Sequence, residues 1–486
     1  MRKELLELEK ASRLLEPSAG ERKAVRKKVI SYSESFLKRI EKLKAFNLSD
    51  EKGAGLLGSP VSEKGIGIEE ALSLIQEHVD TPGLNPASGG HLGYIPGGGI
   101  YYSALGDYLA DIFNRYAGFY FAGPGAVRME NMLIRWMNKT VGYPESALGN
   151  LTSGGSMANL MAVVTAREAK GIKAKDISRS VIYLSQQAHH SVAKAIRIAG
   201  LGECLIRYVP LDERYRMKAS ELEKQVAADK KKNLNPFLVI ASAGTTDTGA
   251  VDPLHEIGKI TAKHKLWYHI DAAYGGFFVL TKEGKKKLKG IERSDSLSID
   301  PHKGLFLPYG LGAVLVRDRS KLQASHYYTA HYLQDAPEQN EEPSPAELSP
   351  ELTKHFRGMR LWLPLKLHGL RPFRACLEEK LLLAKYFYAE VQKLGFECGI
   401  EPELSVVVYR YIPKKNARTG GEDANAFNKK LLEEVVADGR VFISSTMLKG
   451  KFTLRFACLS FRTHLKTVDT LLHVLKEKIN KLEKRS

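Results

Sequence analysis

The stretch SDSLSIDPHKGLFLPYGLGAVLVR, residues 294–317, carries the strongest structural signal in the chain. Residues 296–299 are a short apolar run that predicts a buried strand, and the pair Asp300-Pro301 ends it. Lys303 follows at the strand exit, before a glycine-containing loop and a second predicted strand at 313–316. Burial there would lower the pKa of the amine and make it a nucleophile toward aldehydes. Because Lys303 is one of 73 Lys and Arg residues, a catalytic interpretation requires a cofactor site around it.

Length and composition indicate a globular chain of two or three domains. The 486 residues are 43% hydrophobic, and no apolar run reaches the roughly 18 residues that a membrane span needs. The N-terminal stretch is charged and lacks an apolar signal-peptide core, so we expect no signal peptide. The four cysteines lie far apart without metal-ligand spacing, which predicts a reduced, cytoplasmic setting and no metal site.

The formal net charge of +18 raises the question of an anionic partner. Lysine runs such as 230–232 and 285–287 lie at predicted loop or helix edges and have no aromatic platform beside them. This pattern favours a solvated surface over nucleic-acid binding, which remains the minority interpretation.

Three regions are predicted: a helical segment at 1–90, a large cofactor-binding domain at 91–370 and a small α/β domain at 371–486. An apolar stripe in the first region predicts a helix that docks on another subunit or on its own body. The polar, proline-containing stretch 329–351 predicts a mobile loop. The stripe consists of Val25, Val29, Tyr32, Phe36, Ile40 and Leu43.

Apolar runs alternate with helical patterns through the large domain, which predicts an α/β fold with a parallel, doubly wound sheet. His189, Thr246, Asp271 and Lys303 each follow a predicted strand or begin the next helix. Ligands bind at the carboxyl ends of such strands, so the sheet would bring these groups together. The predicted strands are 181–185, 205–210, 236–244 and 266–271, and those of the small domain are 404–411, 441–445 and 452–458, between helices 375–394, 423–438 and 466–482.

The residue types at these positions suit a phosphorylated pyridine aldehyde. The small residues 153–156 open a helix whose N-terminus would attract a phosphate. A buried Asp271 needs a cation, which a protonated pyridine nitrogen supplies. His189 is suited either to stacking on the ring or to capping a helix, and Lys303 to bonding the aldehyde.

Several motifs in order resemble the group II pyridoxal-phosphate (PLP) decarboxylases, which include aromatic-amino-acid, glutamate and tyrosine decarboxylases. The resemblance covers about residues 80–460 and is specific for the family, but not for the substrate. It implies fold type I (aspartate-aminotransferase-like) and a homodimer with active sites at the interface, wrapped by the N-terminal helices. The motifs are Gln187-Ala188-His189, His269-Ile270-Asp271-Ala272-Ala273-Tyr274, Asp300-Pro301-His302-Lys303, Gly244-Thr245-Thr246, Glu130, Phe356-Arg357 and Leu454-Arg455-Phe456.

The resemblance also implies roles for individual residues. Lys303 would bond the cofactor, Asp271 would pair with the ring nitrogen, and His189 would stack on the ring and orient the substrate carboxylate. Tyr332 lies where the family's loop tyrosine protonates the substrate carbon after CO2 leaves. Thr246 would contact the ring side, and the phosphate would be bound by Gly154, Gly155, Ser156 and His302.

Two stretches depart from the animal aromatic decarboxylases. Asp300 stands where those enzymes have Asn, and because an anion beside a phosphate is unfavourable, we expect Asp300 to cap a helix or face away. The stretch 94–97 is less bulky than its counterpart and carries Tyr94 and Pro96, which together with Arg455 are the candidate substrate contacts.

Decarboxylation of an L-amino acid to the amine and CO2 is the leading hypothesis. Aromatic residues at 94–96 and 119–121, without an added Arg or Lys, favour an aromatic substrate, although these side chains also suit core or interface packing. The alternatives are a PLP-dependent aldehyde synthase or transaminase, a glutamate or diamino-acid decarboxylase, and a nucleic-acid-binding protein on a degenerate fold. Tyr332 favours decarboxylation, because the related aldehyde synthases have Phe there.

Overall fold

The computed structural model describes residues 1–328, 341–413 and 422–485. The predicted loop residue Tyr332 lies outside these ranges. Among the helices within them, none combines the length and apolar character that crossing a membrane requires. In the same residues, no cluster of His, Cys, Asp and Glu side chains is suited to hold a metal ion.

The N-terminal region contains three helices and a small antiparallel sheet. No described residue of the three helices is buried, and Val25 and Val29 of the predicted stripe are 44% and 41% exposed. Docking of this stripe on another subunit stays a prediction. The elements are α1 (Arg2–Ser12), α2 (Ala19–Arg39), β1 (Phe46–Asn47), α3 (Ile68–Ile75) and β2 (Gly83–Leu84).

A seven-stranded sheet forms the centre of the molecule. Most of its strands are buried along their whole length, and apolar runs of this kind are typical of a sheet covered by helices on both faces. The strands are β3 (Leu148–Thr152), β4 (Ser180–Leu184), β5 (Leu205–Tyr208), β6 (Asn235–Ser242), β7 (Trp267–Asp271), β8 (Ser296–Ile299) and β9 (Gly312–Val316), in the spatial order β3-β9-β8-β7-β6-β4-β5.

Helices follow most of these strands, as the predicted alternation requires. The α-helices of this part of the chain are α4 (Tyr101–Phe113), α5 (Pro124–Val141), α6 (Gly155–Ala169), α7 (His190–Ile198), α8 (Ala219–Lys231), α9 (Leu254–His264), α10 (Lys282–Lys287), α11 (Pro301–Gly304), α12 (Arg319–His326) and α13 (Gly358–His368). The doubly wound α/β architecture is therefore confirmed.

The sheet is mainly parallel, and one strand departs from that direction. Strands β4 to β8 are parallel to their neighbours in that group, but β9 runs antiparallel to both β8 and β3. The reason is the short connection after β8, which contains only one helical turn and returns the chain directly beside the strand it left. Strand β3, whose apolar run is short, was not predicted.

A second sheet of four antiparallel strands forms the C-terminal part, in the order β10-β11-β13-β12. Its helices and three of its strands overlap the predicted elements. The remaining strand, β10, has only three residues and is too short to produce a recognisable sequence pattern. The elements are α14 (Arg371–Lys393), β10 (Phe396–Cys398), β11 (Val406–Tyr411), α15 (Glu422–Asp438), β12 (Ser444–Leu448), β13 (Lys451–Ala457) and α16 (Leu465–Arg485).

Residues 341–351 are the described part of the predicted mobile loop 329–351, and they make specific contacts with α5. Arg135 of α5 binds Glu342 through two hydrogen bonds of 2.9 and 2.6 Å, and Arg128 binds Glu341. Ser344 and Leu348 are buried. Ion pairs and burial thus anchor this part of the chain to α5.

A buried ion pair ties α5 to the segment before α13. The amine Nζ of Lys354 donates to Glu130 Oε2 at 2.6 Å and to Asn150 Oδ1 at 3.0 Å, and the two charged side chains are 0% and 2% exposed. The other carboxylate oxygen of Glu130 accepts from the backbone N–H of Gly358. Each charge therefore depends on the other for its burial.

We expect Lys354→Met to destabilise the protein by about 3–5 kcal/mol, because it leaves the Glu130 carboxylate buried without a cation. A lower midpoint of thermal unfolding would show this. Lys224→Met is the matched control, since its ion pair with Glu221 lies at the surface. Equal midpoints for the two variants would contradict the prediction.

Candidate active site

The connection after β8 presents three of the predicted residues. Asp300 precedes α11, and Pro301 occupies the first helical position, where its fixed φ and missing N–H are tolerated. One helical turn then carries His302 and Lys303. All three charged or titratable side chains line one cavity.

This cavity has a volume of about 250 Å³ and lies where β3, β4, β6, β7 and β8 end. The expectation that the sheet brings the polar groups together at its carboxyl edge is confirmed. The predicted cofactor-binding residues that line the cavity are Gly154, Gly155, Ser156, His189, Thr246, Asp271, His302 and Lys303.

Asp271 stands at the end of β7 as a buried carboxylate with three donors. Asn159 Nδ2 donates to Oδ2 at 3.0 Å, while Ser298 Oγ and the N–H of Ala273 donate to Oδ1 at 3.1 and 3.2 Å. Burial alone would raise the pKa of Asp271, but the charge of Lys303 and the Asn159 hydrogen bond outweigh it and lower the pKa. Asp271 is therefore an anion available to a cationic ring.

Asn159 was missed by the sequence reasoning. Its amide also donates to Ser191 Oγ at 3.0 Å, and its oxygen lies 3.0 Å from His269 Nε2. The signal that would have identified it is a single amide in the otherwise apolar run MANLMAVV. Asn159 links α6, α7 and β7 and thereby fixes the position of Asp271.

His189 caps helix α7 with its own ring. Its Nδ1 accepts from the backbone N–H of Ser191 at 3.2 Å and lies 2.7 Å from the hydroxyl of that residue. Burial lowers the pKa of His189, so the ring is neutral near pH 7. Because Nδ1 accepts a hydrogen bond, the proton of the neutral ring resides on Nε2. Capping and cofactor stacking are thus compatible.

Lys303 corrects the expectation of a lowered amine pKa. Its Nζ lies 3.0 Å from Asp300 Oδ2. Burial alone would lower the pKa of Lys303, but the carboxylates of Asp300 and Asp271 stabilise the ammonium form and raise it. In the cofactor-free chain this lysine is therefore one half of an ion pair.

Asp300 also differs from the expectation that it caps a helix or faces away. It lines the cavity, is 1% exposed and makes no capping hydrogen bond. The sequence argument considered only repulsion by a phosphate and omitted attraction by the neighbouring ammonium of Lys303.

The residues present fit PLP. Gly154, Gly155 and Ser156 form the N-terminus of α6, whose backbone N–H groups lack intrahelical acceptors and suit a phosphate. A Cβ at Gly155 would lie 3.0 Å from the Ala273 Cβ and from Asp300 Oδ2, so a side chain there would require its neighbours to shift. Asp271 and Asp300 also line the cavity, and both carboxylates stabilise the ammonium form of Lys303.

The candidate substrate residues are not among the described residues that line this cavity. Tyr94 is 56% exposed and packs against Phe442, and Pro96 is buried. Arg455 is 3% exposed and donates to the backbone carbonyls of Thr246 and Asp247, the latter at 2.9 Å. In a single chain, Arg455 thus positions the loop that holds Thr246.

Comparison with known proteins identifies the family. Residues 87–412 match the model of the pyridoxal-dependent decarboxylase conserved domain. Aromatic-L-amino-acid decarboxylase from Bacillus atrophaeus is 36% identical over 400 residues, covering 82% of this chain and 80% of the relative. L-2,4-diaminobutyrate decarboxylase from Acinetobacter baumannii is 29% identical and covers 87% of this chain and 86% of the relative.

Solved structures agree in fold. The crystal structure of Oryza sativa TDC with PLP and tryptamine has a TM-score of 0.90 at 24% identity, over 96% of this chain and 99% of that one. Mouse CSAD has a TM-score of 0.87 at 25% identity, over 95% and 99%. The chain therefore belongs to the pyridoxal-dependent decarboxylase family and is a PLP-dependent carboxy-lyase that acts on an amino acid.

Proposed function

We propose that this enzyme removes the α-carboxyl group of an aromatic L-amino acid and releases the amine and CO2. The observation that carries the proposal is the similarity to the Bacillus atrophaeus aromatic-L-amino-acid decarboxylase, at 36% identity over 82% of this chain. Among the described residues that line the cofactor cavity, only Lys303 is a Lys or Arg, and we assign it to the cofactor. Among the proposed substrate contacts, only Arg455 is charged, and it already donates to the backbone carbonyls of Thr246 and Asp247.

The described residues can be given roles on this basis. PLP supplies a protonated ring that accepts the electron pair of the broken Cα–carboxyl bond. Asp271, fixed by Asn159, keeps the ring nitrogen protonated, and Lys303 bonds the aldehyde. His189 covers the ring face and directs its Nε2–H to the substrate carboxylate, which Ser191 permits by holding Nδ1.

The remaining predicted residues bind the cofactor or the substrate and take no part in the chemical step. Thr246 contacts the side of the ring, while Gly154, Gly155, Ser156 and His302 hold the phosphate. His302 is itself held, because its Nδ1 lies 2.6 Å from the carbonyl of Leu311. Tyr94, Pro96 and Arg455 remain the proposed substrate contacts.

A homodimer is part of the proposal. Tyr101, Tyr108, Ile112 and Phe113 of α4 are between 40% and 63% exposed, an apolar surface that a second copy would cover. Tyr94, exposed in one chain, would then have a buried environment. We propose a cytoplasmic location, which the four free cysteines support.

An intact cofactor site argues against the alternative of a nucleic-acid-binding protein on a degenerate fold. Asp271 and Lys303 are both buried or half-buried charges, and Asn159 is committed to orienting one of them. A protein that used only its basic surface would gain nothing from this arrangement.

We expect purified protein to be yellow, and borohydride to fix the cofactor on Lys303, as identified by peptide mass spectrometry. Lys303→Ala should lower kcat/KM by about a thousandfold or more, because the bonding amine is lost. Lys289→Ala, which changes an exposed lysine, is the control and should leave both results unchanged. Normal turnover by Lys303→Ala would refute the assigned role.

The proposed role of Tyr332 as proton donor to the substrate carbon predicts the products of Tyr332→Phe. Without that proton, dioxygen and water would divert part of the product to aldehyde, ammonia and hydrogen peroxide. Amine yield and peroxide should be measured in the same reaction. Unchanged amine with no peroxide would show that Tyr332 does not have this role.

The substrate is tested by screening for amine products with mass spectrometry over the standard amino acids, dihydroxyphenylalanine, ornithine and diaminobutyrate. We expect amines from tryptophan, tyrosine or phenylalanine and none from glutamate, because the one cation among the proposed substrate contacts, Arg455, already donates to backbone carbonyls. Product from glutamate or a diamino acid, with none from any aromatic, would refute the aromatic preference and leave the decarboxylase assignment intact.

A further inference from the structure

Asp300 is enclosed in the wall of the cofactor cavity by two glycines. A Cβ at Gly312 would lie 2.6 Å from Asp300 Oδ1, and a Cβ at Gly155 would lie 3.0 Å from Oδ2. A side chain at Gly312 would displace its neighbours, which include the Gly154 backbone at 2.6 Å, and one at Gly155 would press on this carboxylate. Because Gly155 begins α6, the carboxylate is held directly beside the N-terminus that receives the cofactor phosphate.

The two oxygens of Asp300 have unequal surroundings. Oδ2 lies 3.0 Å from Lys303 Nζ and 3.6 Å from His302 Nε2. Oδ1 is buried and has no hydrogen-bond partner among the described residues. A buried carboxylate oxygen without a donor is destabilising, so this atom marks a place where a ligand atom or a proton belongs.

Binding of the cofactor reduces the number of hydrogen-bond donors around Asp300 further. A phosphate monoester carries a charge of about −1.5 to −2 near pH 7. When Lys303 Nζ bonds to the aldehyde carbon, the aldehyde oxygen leaves as water with two of the ammonium protons. At most one N–H then remains on the nitrogen, so Asp300 loses donors as the phosphate arrives.

The neighbouring groups do not supply a replacement cation. Burial lowers the pKa of His302 and of His189, so both rings are neutral near pH 7, and Asp271 adds a further negative charge. The titratable and charged groups around Asp300 are Lys303, His302, His189, Asp271 and Tyr309, with Arg360 acting on His302. Two anions in contact in such a site titrate as a pair that shares a proton.

We propose that Asp300 shares a proton with the cofactor phosphate in the loaded enzyme, so that the phosphate is bound as its monoanion. Asp300 is then a positioning residue, and in the cofactor-free chain it is the counter-ion of Lys303. The inference rests on the cofactor of the family and not on the identity of the substrate.

Phosphorus-31 NMR of the holoenzyme reports the ionisation of the bound phosphate directly. We expect a monoanion resonance in the wild type that does not move between about pH 6.5 and 8.5, whereas a free phosphate titrates near pH 6. In Asp300→Asn the resonance should move to the dianion position. A dianion resonance in the wild type would overturn the proposal, whether or not the variant folds.

The affinity for PLP provides a second readout. Asp300→Asn should bind PLP about tenfold more tightly than the wild type near pH 8.5, because the wild type must then take up a scarce proton. The difference should shrink toward pH 6.5. Asp247→Asn is the matched control, since Asp247 follows Thr246 but does not line the cavity. If Asp247→Asn changed the affinity for PLP as much as Asp300→Asn, the effect would come from the overall charge of the protein, and the proposal would be overturned.

Discussion

Two carboxylates, Asp271 and Asp300, and one ammonium group meet at the carboxyl edge of the central sheet. Lys303 lies between them, 3.0 Å from Asp300 Oδ2, and both acids are nearly inaccessible to water. Buried charges are tolerated only with partners and hydrogen bonds, so the surrounding structure must supply both. The placement of β7, β8 and α6 around this charge cluster satisfies that requirement.

The charge cluster explains several otherwise unrelated features. The amide nitrogen of Asn159 donates to Asp271 and Ser191, and its oxygen lies close to His269. One polar network thus connects α6, α7 and β7. A Cβ at Gly312 would lie 2.6 Å from Asp300 Oδ1 and from the Gly154 backbone, and a Cβ at Gly155 would lie 3.0 Å from Asp300 Oδ2.

The C-terminal sheet contributes to the site through Arg455 of β13. Its guanidinium donates to Ser444 Oγ at 2.7 Å and to the backbone carbonyls of Thr246 and Asp247. Burial lowers the pKa of Arg455, and its hydrogen bonds compensate for the lost hydration. This arginine couples the C-terminal sheet to the loop after β6, which carries the cavity residue Thr246.

The sequence by itself determined the α/β architecture and predicted, partly through the family resemblance, the eight residues that meet in one cavity. The architecture and the meeting of strand-end residues follow from local physics, because buried parallel strands are continuous apolar runs whose carboxyl ends share an edge. Only the tertiary structure decided the direction of β9, the role of Asn159 and the partner of Asp300. These depend on which side chains become neighbours across the fold. The raised pKa of Lys303 illustrates this difference best. Burial of the side chain can be predicted from the apolar sequence around it, but its distance from Asp300 cannot.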